Sequence, residues 1–97
     1  VMAVMTVYHG GYMPVERPEI RIGINTKDFG TGFYCTVIKE QAQRWAKRYD
    51  TKIVSIYEVR INSKLNIKEF KYPTHQIDFC TKEALQCLKY RGYEVVE

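Results

Sequence analysis

No stretch of this 97-residue chain approaches the roughly 20 consecutive apolar residues that a membrane-spanning helix needs, so no part of it reads as such a helix. The apolar opening Val1-Met2-Ala3-Val4-Met5-Thr6-Val7 lacks the basic leader and small-residue cleavage site of a secretory signal. The three cysteines, Cys35, Cys80 and Cys87, are odd in number and form no C-x-x-C pair, which argues against a disulfide framework and a cysteine-rich zinc site. There is no internal repeat and no low-complexity tract, and the pair Gly30/Gly32 lacks the Lys-Ser/Thr that follows a phosphate-binding loop. These absences lead to the expectation of a soluble, cytoplasmic protein with buried free thiols, no bound metal and no contact with a membrane.

What is present suffices for one domain spanning residues 1–97. Hydrophobic residues make up 45% of the chain, and eight tyrosines and four phenylalanines can fill a single core. A domain of this size buries only about 60–65% of its unfolded surface, which leaves room for a partner chain to add stability. The net charge of +4 and pI near 9.0 favour an anionic ligand. The cations, among them Lys39, Arg44, Lys47 and Arg48, are interleaved with acids, and no recognition helix or basic-aromatic signature is visible. That pattern argues for solvated faces and against a nucleic-acid partner.

Periodicity orders the elements as β, loop, β, α, β, β, β, α, β. A strand ends near His9, and the prolines within Pro14–Lys27 mark a loop or edge segment. Ala42, Trp45, Ala46 and Tyr49 form the apolar stripe of a helix over Lys39–Tyr49, with Thr36 as its expected N-cap. Strands follow over Lys52–Val59, Leu65–Phe70 and Gln76–Cys80. Thr81 caps a second helix running from Lys82 to Tyr90, Gly92 ends it, and Tyr93–Val96 forms a last strand. Strands without regular βα alternation indicate an α+β domain.

Two segments carry chemistry that a scaffold does not need. Tyr8-His9-Gly10-Gly11 puts an imidazole at a strand end beside glycines, which permit a tight turn or a close approach of ligand to backbone. Asp28-Phe29-Gly30-Thr31-Gly32-Phe33-Tyr34 delivers aromatics after a glycine pair. A plain structural reading stands beside each: His9 caps a turn, Phe33 and Tyr34 fill a strand core, and Trp45 lies on its helix's apolar stripe. His75 belongs to a loop, and a His9–His75 metal site lacks supporting ligands.

These segments, with Glu40-Gln41-Ala42, Trp45-Ala46, Ile53–Glu58 and Gln76-Ile77-Asp78-Phe79-Cys80-Thr81 before Ala84-Leu85, resemble small bacterial domains of uncharacterised function placed in the ADP-ribosyltransferase superfamily. The resemblance implies a small split β-sheet domain with two helices that clamps a bent NAD, used as substrate with no metal. It also implies ADP-ribose transfer to an unknown acceptor. His9, Tyr34 and Gln76 match the superfamily's histidine, tyrosine and glutamate-or-glutamine on three strands, with Gly10 and Phe33 as further cofactor contacts. Gln76 cannot serve as a general base, so Asp78, two residues on and on the same strand face, is the candidate carboxylate. In one respect the chain departs from the family: only Lys71–His75 joins the last two strands before the second helix, where relatives carry a longer insertion. The shortening motivates an alternative, a catalytically inactive nucleotide-binding or protein-interaction module, part of a toxin–antitoxin or phage-conflict pair. Such a module would use an exposed strand edge to bind a protein partner or form a homodimer.

Overall fold

Residues 3–18, 33–61, 67–70, 75–79 and 81–97 are described in the computed structural model of the chain. The longest pairing joins the two segments with the strongest strand chemistry. β1 (Ala3–Gly11) and β3 (Ile53–Ile61) run antiparallel over their whole length, from Ala3↔Ile61 to Gly11↔Ile53. Alternation divides their side chains between two faces. Val7, Tyr57 and Val59 enter one core with Phe33, Cys35, Ile77, Phe79, Ala84 and Leu85. On the opposite face Val54 packs with Ala42 and Ala46 of the first helix. Each fully buried Val, Ile or Phe contributes roughly 1.5–3 kcal/mol of transfer free energy.

The remaining elements are β2 (Phe33–Thr36), α1 (Lys39–Ala46), β4 (Ile67–Phe70), β5 (Gln76–Phe79), α2 (Lys82–Leu85) and β6 (Leu88–Val95). They complete a six-stranded sheet in the order β4-β5-β2-β1-β3-β6, every neighbouring pair antiparallel. The fold is α+β, as the element order predicts. One junction differs from the rest: among the described residues β1 meets β2 through a single pair, Tyr8↔Thr36. The sheet therefore consists of two halves, β6-β3-β1 with long strands and β2-β5-β4 with strands of four residues, joined at one point.

Several sequence expectations need correction. β1 does not end at His9 but runs on through Gly11, so Gly10 and Gly11 are strand residues and not a turn. Gly10 is small for a packing reason. A Cβ there would lie 2.0 Å from the Ala42 carbonyl oxygen and 2.9 Å from the Ala46 nitrogen, because the backbone of α1 rests on it. Thr36 is not the N-cap of α1. It belongs to β2, its Oγ1 accepts the Ile38 N–H at 3.1 Å, and Ile38 is the N-cap without a side-chain cap.

α1 stops at Ala46, and Tyr49 lies exposed beyond it. Thr81 does cap α2, accepting the Ala84 N–H at 3.1 Å, but α2 is one turn long and β6 begins at Leu88, where the expected helix would have continued. Gly92 ends no helix. It sits inside β6 with φ 131° beside a bulge, where the ladder passes from Tyr57↔Tyr90 to Ile56↔Gly92 and leaves Arg91 extra. Cys35 is buried and Cys87 half-buried, both as free thiols. Leu65, Asn66, Cys80, the Asp28–Gly32 segment and the loop beyond Pro18 lie outside the described residues.

Candidate functional site at the sheet junction

His9 bridges the two half-sheets beside their single point of pairing. On β1 it stands opposite Ser55, on the face that carries Val7 and Tyr57. Its Nδ1 lies 2.7 Å from the carbonyl oxygen of Tyr34 on β2. A carbonyl can only accept, so Nδ1 carries the proton and donates it. The imidazole also stacks on Phe33, centroids 4.3 Å apart and planes at 25°. Phe33 in turn meets Tyr57 edge-on at 5.7 Å and 88°.

Burial holds the His9 pKa below its ordinary 6.5, and the hydrogen bond to Tyr34 opposes that shift without cancelling it. The ring is neutral at pH 7. With Nδ1 protonated, Nε2 bears a free lone pair and is an acceptor. A Cβ at Gly11 would lie 3.6 Å from Nε2, against the one ring atom that can accept.

The segment after β1 is tied across this face. The Val15 N–H donates to Ser55 Oγ at 3.1 Å, and the Tyr57 hydroxyl donates to the Val15 carbonyl. Burial raises the Tyr57 pKa, so the hydroxyl stays protonated and remains a donor. The sequence signal for this clamp is faint. Ser55 is a polar residue inside the run Ile53-Val54-Ser55-Ile56, and nothing local shows that it lies beneath Val15.

The other anticipated site residues occupy β2 and β5. Tyr34 pairs with Asp78 and Thr36 with Gln76, while Tyr8 stands opposite Thr36. By alternation Tyr34, Thr36, Gln76 and Asp78 share one face, and Phe33, Cys35, Ile77 and Phe79 share the other. The structure thus brings His9 to the Tyr34 backbone and to the ring of Phe33. The side chains of Tyr34, Gln76 and Asp78 lie on the opposite face, Gln76 and Asp78 on β5, one strand beyond β2. Asp78 is 6% exposed. Cys35, held well above the ordinary thiol range by burial and then by the charge of Asp78, is not a thiolate at neutral pH. Among the described residues, no group of three or more His, Cys, Asp or Glu could hold a metal ion, and no helix is long and apolar enough to cross a membrane.

Neither a curated protein nor a solved structure matches the chain. A family of proteins does match it, over residues 5–74, a span that begins within β1, takes in β2, α1, β3 and β4, and stops before β5. The chain belongs to the family described as protein of unknown function (DUF3990).

Proposed function

We propose that the junction of the half-sheets around His9 is a dinucleotide site that takes NAD as substrate, with ADP-ribose passed to an acceptor still to be identified. The observation that carries this reading is the His9 bridge, a neutral imidazole fixed by the Tyr34 carbonyl so that Nε2 can accept a ribose hydroxyl. His9 and Phe33 meet such a ligand from one face of the sheet, and Tyr34, Gln76 and Asp78 carry their side chains on the opposite face. Gly10 forms the backbone beside His9, although α1 covers its Cα.

Cleavage of the nicotinamide–ribose bond sends the electron pair to the departing nicotinamide and leaves an oxocarbenium-like carbon, which the acceptor's lone pair then attacks. Positioning of the ribose by His9 favours that centre, and Asp78 and Gln76, whose side chains lie on the other face of the sheet, are the groups the resemblance assigns to it. A second reading, nucleotide binding without turnover, draws on the burial of Asp78 and on an amide at Gln76 in place of a base. The separating experiment is calorimetric titration of NAD into the chain, into His9→Ala and into Tyr34→Ala, followed by assay of nicotinamide release. Saturable binding lost in His9→Ala supports the site, and release of nicotinamide supports transfer. Binding without release selects the second reading, and absence of binding at millimolar NAD rejects both.

A further inference from the structure

β6 is an edge strand whose inner side pairs with β3, and no described strand pairs with its outer side. It is long for an edge, eight residues, and it leaves Tyr93 52% and Val95 65% exposed. We propose that this edge pairs antiparallel with β6 of a second copy of the chain, joining two sheets into one about a twofold axis.

The sequence Leu88-Lys89-Tyr90-Arg91-Gly92-Tyr93-Glu94-Val95 is complementary to itself when reversed. Leu88 then stands opposite Val95, Lys89 opposite Glu94 and Tyr90 opposite Tyr93, and each pair occurs twice. In a regular strand this register fails, because residues an odd number apart in sequence point to opposite faces. The bulge at Arg91 supplies the missing step. Leu88, Tyr90, Tyr93 and Val95 pair with Val59, Tyr57, Ser55 and Ile53, alternate residues of the regular strand β3, and so all four share one face. Lys89 and Glu94 pair with Glu58 and Val54 on the other face. Every cross-copy pair therefore meets on one side of the joined sheet.

The neighbours fit the same register. Tyr90 already sits 5.9 Å from Tyr57, ring to ring, and Tyr93 of the second copy extends that row. Lys89 lies between Glu58 of its own chain and Glu94 of the other, and that Glu94 is bonded to its own Lys39 at 2.6 Å. Charges thus alternate in sign along the row, an arrangement that attracts across an antiparallel pair, where like charges would repel. The contact is narrow, about 26 Å of strand from each copy, which makes the dimer concentration-dependent.

The test is sedimentation equilibrium of the full chain from micromolar to millimolar concentration. Wild type is expected to pass from monomer to dimer. Lys89→Glu alone sets carboxylate against carboxylate, and Glu94→Lys alone sets ammonium against ammonium. Each should weaken association about tenfold or more. Mixed in equal amounts, the two variants should form a heterodimer, since each then presents the charge that the other needs. Val95→Lys, at an exposed strand end, should weaken association with an unchanged circular dichroism spectrum, which guards against misfolding of the charge variants. A wild type that stays monomeric throughout, or a dimer indifferent to all three substitutions and to mixing, overturns the proposal.

Discussion

The two half-sheets are built from the same strand chemistry and differ in what they are fitted for. β1 and β3 pair over nine residues each and pack α1 on one face and the main core on the other, with β6 continuing the ladder. β2, β5 and β4 pair over four described residues each, and β2 and β5 bury Thr36 and Asp78 on the face opposite their apolar side chains. Paired backbone and apolar area make the first half the scaffold. Both halves bury polar groups, Ser55 in the first and Thr36 and Asp78 in the second, and such desolvated groups cost stability unless they are satisfied. The halves are connected by the pair Tyr8↔Thr36, by the His9 imidazole and by the core that Val7, Tyr57 and Val59 share with Phe33, Cys35, Ile77 and Phe79.

The largest expected effect comes from striking the scaffold. Gly10→Ala drives a methyl group into the backbone of α1, with no flexible side chain to yield, and should destabilise the fold by roughly 3 kcal/mol. In a domain of this length that lowers Tm by more than about 10 °C, measurable by calorimetry or circular dichroism. A near-silent substitution would mean that α1 does not rest on β1 as described.

Tyr57→Phe keeps the buried ring and removes only the hydroxyl that holds Val15. The expected loss is about 1 kcal/mol, accompanied by faster proteolysis or hydrogen exchange in the segment after β1. Unchanged exchange at Val15 would show that Ser55 alone secures the segment.

The smallest effect belongs to the seam and depends on pH. Because the folded-state pKa of His9 lies below its ordinary 6.5, its neutral form contributes stability that is fully present above about pH 6.5. That contribution is lost as pH falls through the folded pKa. His9→Gln, which cannot titrate, should flatten this part of the stability curve measured by denaturant unfolding. Equal acid slopes for the two proteins would place the titration elsewhere.

Much of the scaffold was legible because alternation and β-branching are local signals. Val4–Val7 and Ile53–Val59 announce strands, and Ala42 and Ala46 announce the helix that covers them. The C-terminal third was less legible. Ala84, Leu85 and Leu88 satisfy a helical stripe, but pairing with Val59 draws Leu88 into β6, a tertiary preference that overrides local propensity. Gly92 has the residue type of a helix stop and the φ of a bulge. At the site, His9 stood out by residue type, yet its partners did not. Which aromatic stacks on it depends on where the sheet splits, and alternation then selects Phe33 over Tyr34.

A nitrogen-15 spectrum of the His9 ring at pH 7, recorded with and without NAD, probes the proposed site at its central atom. A neutral ring with the proton on Nδ1 is expected, with a saturable shift of Nε2 as NAD is added. A ring protonated at Nε2 alone, or an Nε2 resonance unmoved at millimolar NAD, would contradict that expectation.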